Sequence, residues 1–190
     1  MKHLLLITIA AVLLTGCGDS EREQAEFCRN NFKQIGIALG MFANDHDGKL
    51  PWQVSEKDGG SMEYISPRSD KNALLDAGGE PIFDENAWRH FLAIYKYIGD
   101  GSVFICPTLG KKRSGKPSSS DDVSYWLLTD EKLNLNNVKS PGDAILLVCP
   151  HNPNGYYIVG HADFIVDHVK WPRIRQRLIK GSEELKAAGK

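Results

Sequence analysis

The 190 residues contain no Cys-x-x-Cys pair, no glycine-rich phosphate loop, no Gly-x-Ser-x-Gly elbow and no paired-carboxylate motif. Thioredoxin-like redox chemistry, zinc knuckles, nucleotide cradling and serine-hydrolase chemistry therefore have no local signature. Charge of one sign is also missing: 23 basic side chains face 24 acidic ones, for a net charge of −1. That balance gives neither a nucleic-acid footprint nor an acidic solvating tail. Cysteine is scarce, with four in the chain. There is no apolar run of the roughly 20 residues that a membrane-spanning helix needs.

The longest apolar run, from Leu4 to Leu14, follows the basic Lys2 and leads into Leu14-Thr15-Gly16-Cys17. Its length suits a signal h-region of about 7–15 residues. The tetrapeptide resembles the lipobox of bacterial lipoproteins, in which small residues precede a cysteine whose thiol receives diacylglycerol. The resemblance implies a cleaved signal over residues 1–16, lipidation of Cys17 and a tether over 17–22. Gly18, rather than Asp, follows the cysteine, which by the same resemblance points to the outer membrane, with the protein facing the periplasm. Cleavage leaves a chain sized for one domain with its own core.

Ser20-Glu21-Arg22-Glu23 has the form of a capping box. Beyond it, Cys28, Phe32, Ile35, Leu39 and Phe42 recur at spacings of four and three, one face of a helix turned to a core. Asn44-Asp45-His46-Asp47-Gly48 supplies residues tolerant of left-handed backbone to end it, and Pro51 stops continuation. The segment 53–82 has no sustained period and reads as a loop. Asp84 is placed to cap a second helix with Trp88, Phe91, Leu92 and Tyr95 on its inner face, ending at Gly99. Val103 to Cys106 reads as a short strand ended by Pro107. Thr108 to Asp122, with Lys111-Lys112-Arg113 and three serines, has the composition of an exposed loop.

Four short apolar segments follow: Val123–Leu128, Ala144–Cys149, Tyr156–Val159 and Phe164–Val169. Turn signals at Asn136-Asn137, Pro141-Gly142 and Asn154-Gly155 separate them, as in an antiparallel meander. Pro172 suits the first position of a closing helix from Arg173 to about Ala188. The predicted fold class is α+β: a long N-terminal helix on a small antiparallel sheet over residues 23–171, with a C-terminal helix or tail over 172–190.

Candidate chemistry is sparse. Cys28, Cys106 and Cys149 permit one disulfide and one remaining thiol, and spacing does not choose the pair. His161, Asp163, Asp167 and His168, with His151 nearby, form the densest set of potential ligands. Strand residues two apart share a face, so His161 with Asp163, or Asp163 with Asp167, could share an ion, and zinc suits such donors better than calcium. The commoner use of such residues is to blunt a hairpin edge. Cys149-Pro150-His151 sets a thiol near an imidazole, but cysteine at the end of an apolar strand is ordinarily buried packing. The chain reads as a non-enzyme. The alternative is a metal-dependent periplasmic binding protein or enzyme using the His161–His168 set.

The stretch from Cys28-Arg29-Asn30-Asn31-Phe32-Lys33-Gln34-Ile35-Gly36 through Phe42-Ala43-Asn44-Asp45-His46-Asp47-Gly48-Lys49-Leu50-Pro51 resembles a group of type II secretion G-like pseudopilins found in planctomycetes and verrucomicrobia. Phe104-Ile105-Cys106-Pro107 is similar to that group's later F-x-C-P element, Ser124-Tyr125 to its S-Y strand, and Ala162-Asp163 to its C-terminal hairpin. The resemblance implies a pilin-like fold, a Cys28–Cys106 disulfide, envelope protein partners with a link to a secretion or pilus-like apparatus, and calcium as a ligand near Asp143 or Asp163. Two features depart from the group. The apolar stem that would drive filament assembly is replaced by the polar stretch 18–24 behind a lipobox. Phe164 stands where glycine is usual, which implies a different turn or a shift to Asp167-His168.

Overall fold

A computed structural model describes residues 17–65, 83–109, 115–129, 135–136, 140–150, 156–170, 173–174 and 176–177. The signal segment, the basic triplet, His151, the Asn154-Gly155 turn and the tail beyond Arg177 lie outside the described residues.

Helix α1 runs unbroken from Cys17 to Asp45. It begins three residues before the expected Ser20 cap, so the capping-box pattern does not mark its start. Cys28, Phe32, Ile35, Leu39 and Phe42 are buried, as their spacing requires. Each large side chain on that stripe removes enough apolar surface from water to be worth about 1.5–3 kcal/mol. The helix ends where expected. Asp47 and Gly48 take positive φ, of 56° and 78°, and the Gly48 amide donates to the Ala43 carbonyl at 2.8 Å. Pro51 then opens a 3-10 turn, Pro51–Gln53, and two more follow at Glu56–Asp58 and Met62–Tyr64. The start of the expected 53–82 loop is thus a chain of tight turns, and 66–82 lies outside the described residues.

Helix α2 spans Ala87–Ile98 and closes on Gly99 at φ 74°. Asn86, not Asp84, occupies its cap position. Asp84 is drawn inward, its Oδ1 accepting from the Asn86 amide at 2.8 Å. The inner face is also rotated from the expected one. Ala87, His90, Phe91 and Ile94 are buried, while Trp88, Leu92 and Tyr95 are only partly covered. Phe91 stacks on Phe104 at 5.0 Å.

The expected strand Val103–Cys106 is a 3-10 turn instead, Gly101–Phe104. Asp100 nucleates it by accepting from the Ser102 amide at 2.9 Å and from its hydroxyl at 2.7 Å. These apolar residues are buried without joining the sheet.

The antiparallel sheet has order β1-β2-β3-β4, with β1 at Trp126–Leu127, β2 at Ile145–Cys149, β3 at Tyr156–His161 and β4 at Val166–Lys170. Strand β1 is shorter than its apolar segment: the Val123 amide closes the 3-10 turn at Ser120–Asp122, and the Ser124 amide donates to the Phe104 carbonyl instead of a ladder. All five residues of β2 are buried, since both sheet faces are covered. One face packs under α1 and α2. The other packs on a second cluster that includes Leu128, Val159, Val169 and Ile174. Ile145 pairs with His161 while Leu147 pairs with Gly160, so Leu146 is an extra residue, a β-bulge. As a result Leu146, Leu147 and Cys149 all belong to the core under α1, and Ile145 and Val148 to the opposite one.

The β3–β4 turn resolves the question posed by Phe164. The turn falls at 162–165, and Phe164 itself adopts φ 64°. Asp167 and His168 are strand residues, so the shift toward them does not occur. The ring lies against α1 where glycines remove the obstruction. A Cβ on Gly36 would come within 3.0 Å of the Phe164 Cβ, and one on Gly40 within 2.8 Å of Cε2. The left-handed backbone is thus held by a ring seated on a two-glycine track. Arg173, Ile174, Gln176 and Arg177 are helical, which is the part of the closing helix that can be described. The fold class is α+β, as the patterning indicates.

Candidate functional site: a buried cluster of three thiols

Three segments meet beneath the middle of the sheet. Helix α1 brings Cys28, the chain between two 3-10 turns brings Cys106, and the end of β2 brings Cys149. Their Sγ atoms form a closed triangle: Cys28 to Cys106 3.2 Å, Cys106 to Cys149 3.4 Å, Cys28 to Cys149 3.9 Å. All three residues are at most 1% exposed. The F-x-C-P and S-Y segments are neighbours here. The Ser124 amide donates to the Phe104 carbonyl at 3.0 Å, and the Cys106 amide donates to the Ser124 hydroxyl. Tyr125 packs edge-on against Phe32 at 4.7 Å, and its hydroxyl donates to the Ile105 carbonyl at 3.1 Å. That hydroxyl accepts from Asn31 Nδ2 at 3.0 Å and lies 3.8 Å from Cys28 Sγ. Thr108 Oγ1 is 2.8 Å from Cys106 Sγ.

The cluster is electrostatically graded. Cys106 accepts from Cys149, from Cys28 and from Thr108, which holds its pKa far below the usual thiol range, at about 2. Cys28 is pushed up to about 12, first because it donates to Cys106 and further by burial. Cys149 moves up because it donates to Cys106 and Cys28 inside an apolar surround. Burial also raises the pKa of the Tyr125 hydroxyl. Cys106 is therefore the first to ionise, and the other two thiols solvate its charge.

The sequence reading put Cys28 and Cys106 together by resemblance and left Cys149 as packing. The structure brings all three together. No local spacing signals this, because the separations of 78, 43 and 121 residues are set by the fold.

The other predicted ligand set divides. His161 is 3% exposed, and its Nε2 lies 3.5 Å from Asp167 Oδ2. Asp167 is also held by Arg177 at 3.0 Å. Asp163 turns aside, its Oδ1 accepting from the Ile165 amide at 3.0 Å, with Oδ2 against Gly142 in the turn that carries Asp143. His168 is exposed, and as Asp167's neighbour on β4 it points to the opposite face. Burial lowers the His161 pKa, the charge of Asp167 opposing it.

One further arrangement had no sequence signal. Ser61 Oγ lies 2.7 Å from His90 Nδ1, and His90 Nε2 lies 3.2 Å from Asp84 Oδ2. The same oxygen accepts from the Thr129 hydroxyl at 2.8 Å. Burial opposes ionisation of Asp84, but the hydrogen bond and charge of His90, with Thr129 and the Asn86 amide, outweigh it and bring its pKa down to about 2. The residue types are those of a hydrolase triad. With Ser61 and His90 each 1% exposed, this is a tie between the turns, α2 and the end of β1, not a nucleophile open to solvent.

No family model, no curated protein and no solved structure matches the chain. Among the described residues, no helix is long and apolar enough to cross a membrane.

Proposed function

We propose that this chain is a lipid-anchored envelope protein of pilin-like build, a structural or interaction module without enzymatic activity that works beside a secretion or pilus-like apparatus. The observation that carries the reading is a single helix running from Cys17 to Asp45 with its inner stripe laid over an antiparallel sheet. Acyl chains on Cys17 would take over the anchoring that an apolar stem provides in a pilin, at about 0.8 kcal/mol per buried methylene. The outward side of the helix carries Phe27, Ile37 and Met41, each about half exposed, which is apolar surface suited to a protein partner.

The test is fractionation of cells carrying the full chain or a Cys17→Ser variant, with labelled fatty acid supplied. The expected outcome is label and membrane association in the first and neither in the second. An unlabelled chain in the soluble fraction would refute the anchor. Cross-linking from cysteines placed at Ile37 or Met41 in native membranes identifies the partner.

A further inference from the structure

We propose that Cys28, Cys106 and Cys149 form a three-thiolate site for a borderline-soft divalent cation, of which zinc is the representative. The proposal depends on neither the anchor nor the partner, because it rests on the geometry of the core alone. The three Sγ positions are nearly equidistant from one another, so they surround a common centre. A point 2.3 Å from all three, the zinc–thiolate distance, lies about 1 Å out of their plane, so the ion fits with no rearrangement of the backbone. It would sit at the apex of a shallow pyramid with its fourth coordination position pointing away from the sulfurs.

Two other uses of three thiols fit less well. An internal disulfide relay needs the attacking sulfur, the attacked sulfur and the leaving sulfur in line, but the angle at Cys106 between Cys28 and Cys149 is only about 70°. A single disulfide accounts for two of the sulfurs and leaves the third pressed against it without a role. Charge selects the valence of the ion. Three thiolates leave one net negative charge on a divalent ion and two on a monovalent one, and buried net charge is costly. Thr108 and Tyr125 present hydroxyls to the Cys106 and Cys28 sulfurs, where they damp that remaining charge. Loading is an acid–base step without electron transfer: with Cys106 already a thiolate, the S–H protons of Cys28 and Cys149 leave as three metal–sulfur bonds form. Because the sulfurs are at most 1% exposed, the ion enters as the chain folds.

The full chain, reduced and free of chelator in mild detergent, is refolded from denaturant with zinc and, in parallel, with cobalt(II) present. The expected result is one ion per chain and a thiolate-to-cobalt charge-transfer absorption that zinc abolishes. Cys149→Ser should weaken binding at least about tenfold, and Cys17→Ser should leave it unchanged. Reduced wild-type chain that refolds by circular dichroism with the ion present but retains no zinc and gives no cobalt absorption would overturn the proposal. Undiminished affinity in Cys149→Ser, or a Cys28–Cys106 disulfide in chain isolated from its own cells with free thiols blocked, would do the same. If Cys149→Ser does not fold, the cobalt spectrum of the wild type decides alone.

Discussion

Replacing Phe164 separates two effects that the β3–β4 turn combines. A side chain at φ 64° costs the backbone about 1–2 kcal/mol relative to glycine. The ring, partly covered and seated on Gly36 and Gly40, returns about 2–3 kcal/mol, below the 3–5 of a fully buried phenylalanine. Phe164→Gly removes both effects, so it should destabilise by about 1 kcal/mol. Phe164→Ala loses the ring but keeps the backbone strain, so it should cost roughly 1 kcal/mol more than the glycine variant. The expected order of stability is wild type, then glycine, then alanine, with successive Tm drops of about 2–4 °C for a domain of this size. Urea unfolding followed by circular dichroism, with the slope checked for constancy, measures both steps. A glycine variant as stable as wild type would mean that the ring contributes nothing beyond its strain. Equal stability of the two variants would mean that the left-handed backbone is not strained.

Gly40→Ala gains about 1 kcal/mol of helix propensity but drives a methyl to 2.8 Å from the Phe164 ring, an overpacking cost of about 1–3 kcal/mol. It should be neutral to destabilising alone and stabilising in the Phe164→Ala background, a coupling that a double-mutant cycle reads directly. Asp84→Ala should cost about 3–5 kcal/mol by leaving His90 and Thr129 without their acceptor, measured by denaturant midpoint. Because the folded Asp84 carboxyl sits at about 2, its contribution is complete above the ordinary carboxylate range and is lost as pH falls through that range toward 2. An Asp84→Asn chain should show a flatter acid limb. His161 carries a lowered pKa, so the unfolded chain takes up its proton first, and stability should decline as pH drops below the ordinary histidine range. That decline should be absent in His161→Phe if burial beside Asp167, Asp163 and Arg177 is its cause.

The periodic parts of the chain were legible. A stripe at spacings of three and four, closed by Asp47-Gly48, specifies both the face and the end of α1, because helix geometry repeats over many residues. The apolar segments 144–149, 156–159 and 164–169 overlap β2, β3 and β4, because each is a short apolar run between turn residues. Segments captured by local side-chain hydrogen bonds were not legible. Val103–Cys106 is apolar enough for a strand, but Asp100 and Ser102 wind it into a 3-10 turn, a local hydrogen-bond choice that hydrophobicity does not report. The start of α2 was misplaced because Asp84 is a good cap by type, yet its carboxylate finds stronger partners in His90 and Thr129. The thiol triangle was half visible, Cys149 being assigned to packing. Its partners are separated by tens of residues, and only the way β2 is presented to α1 joins them.

The bulge at Leu146 determines that presentation. Side chains alternate strictly along a regular strand, so a β2 that kept Leu146 without a bulge would turn Val148 toward Cys28 and Cys106 and send Cys149 to the other face. The bulge absorbs that extra residue, so Leu146 joins the core beside Leu147 while the pleat beyond it stays in register with β3 and keeps the third sulfur in place. Deleting Leu146 should therefore remove the bulge yet leave Cys149 in the cluster, because Leu147, Val148 and Cys149 keep their pairing with Gly160, Val159 and Ile158.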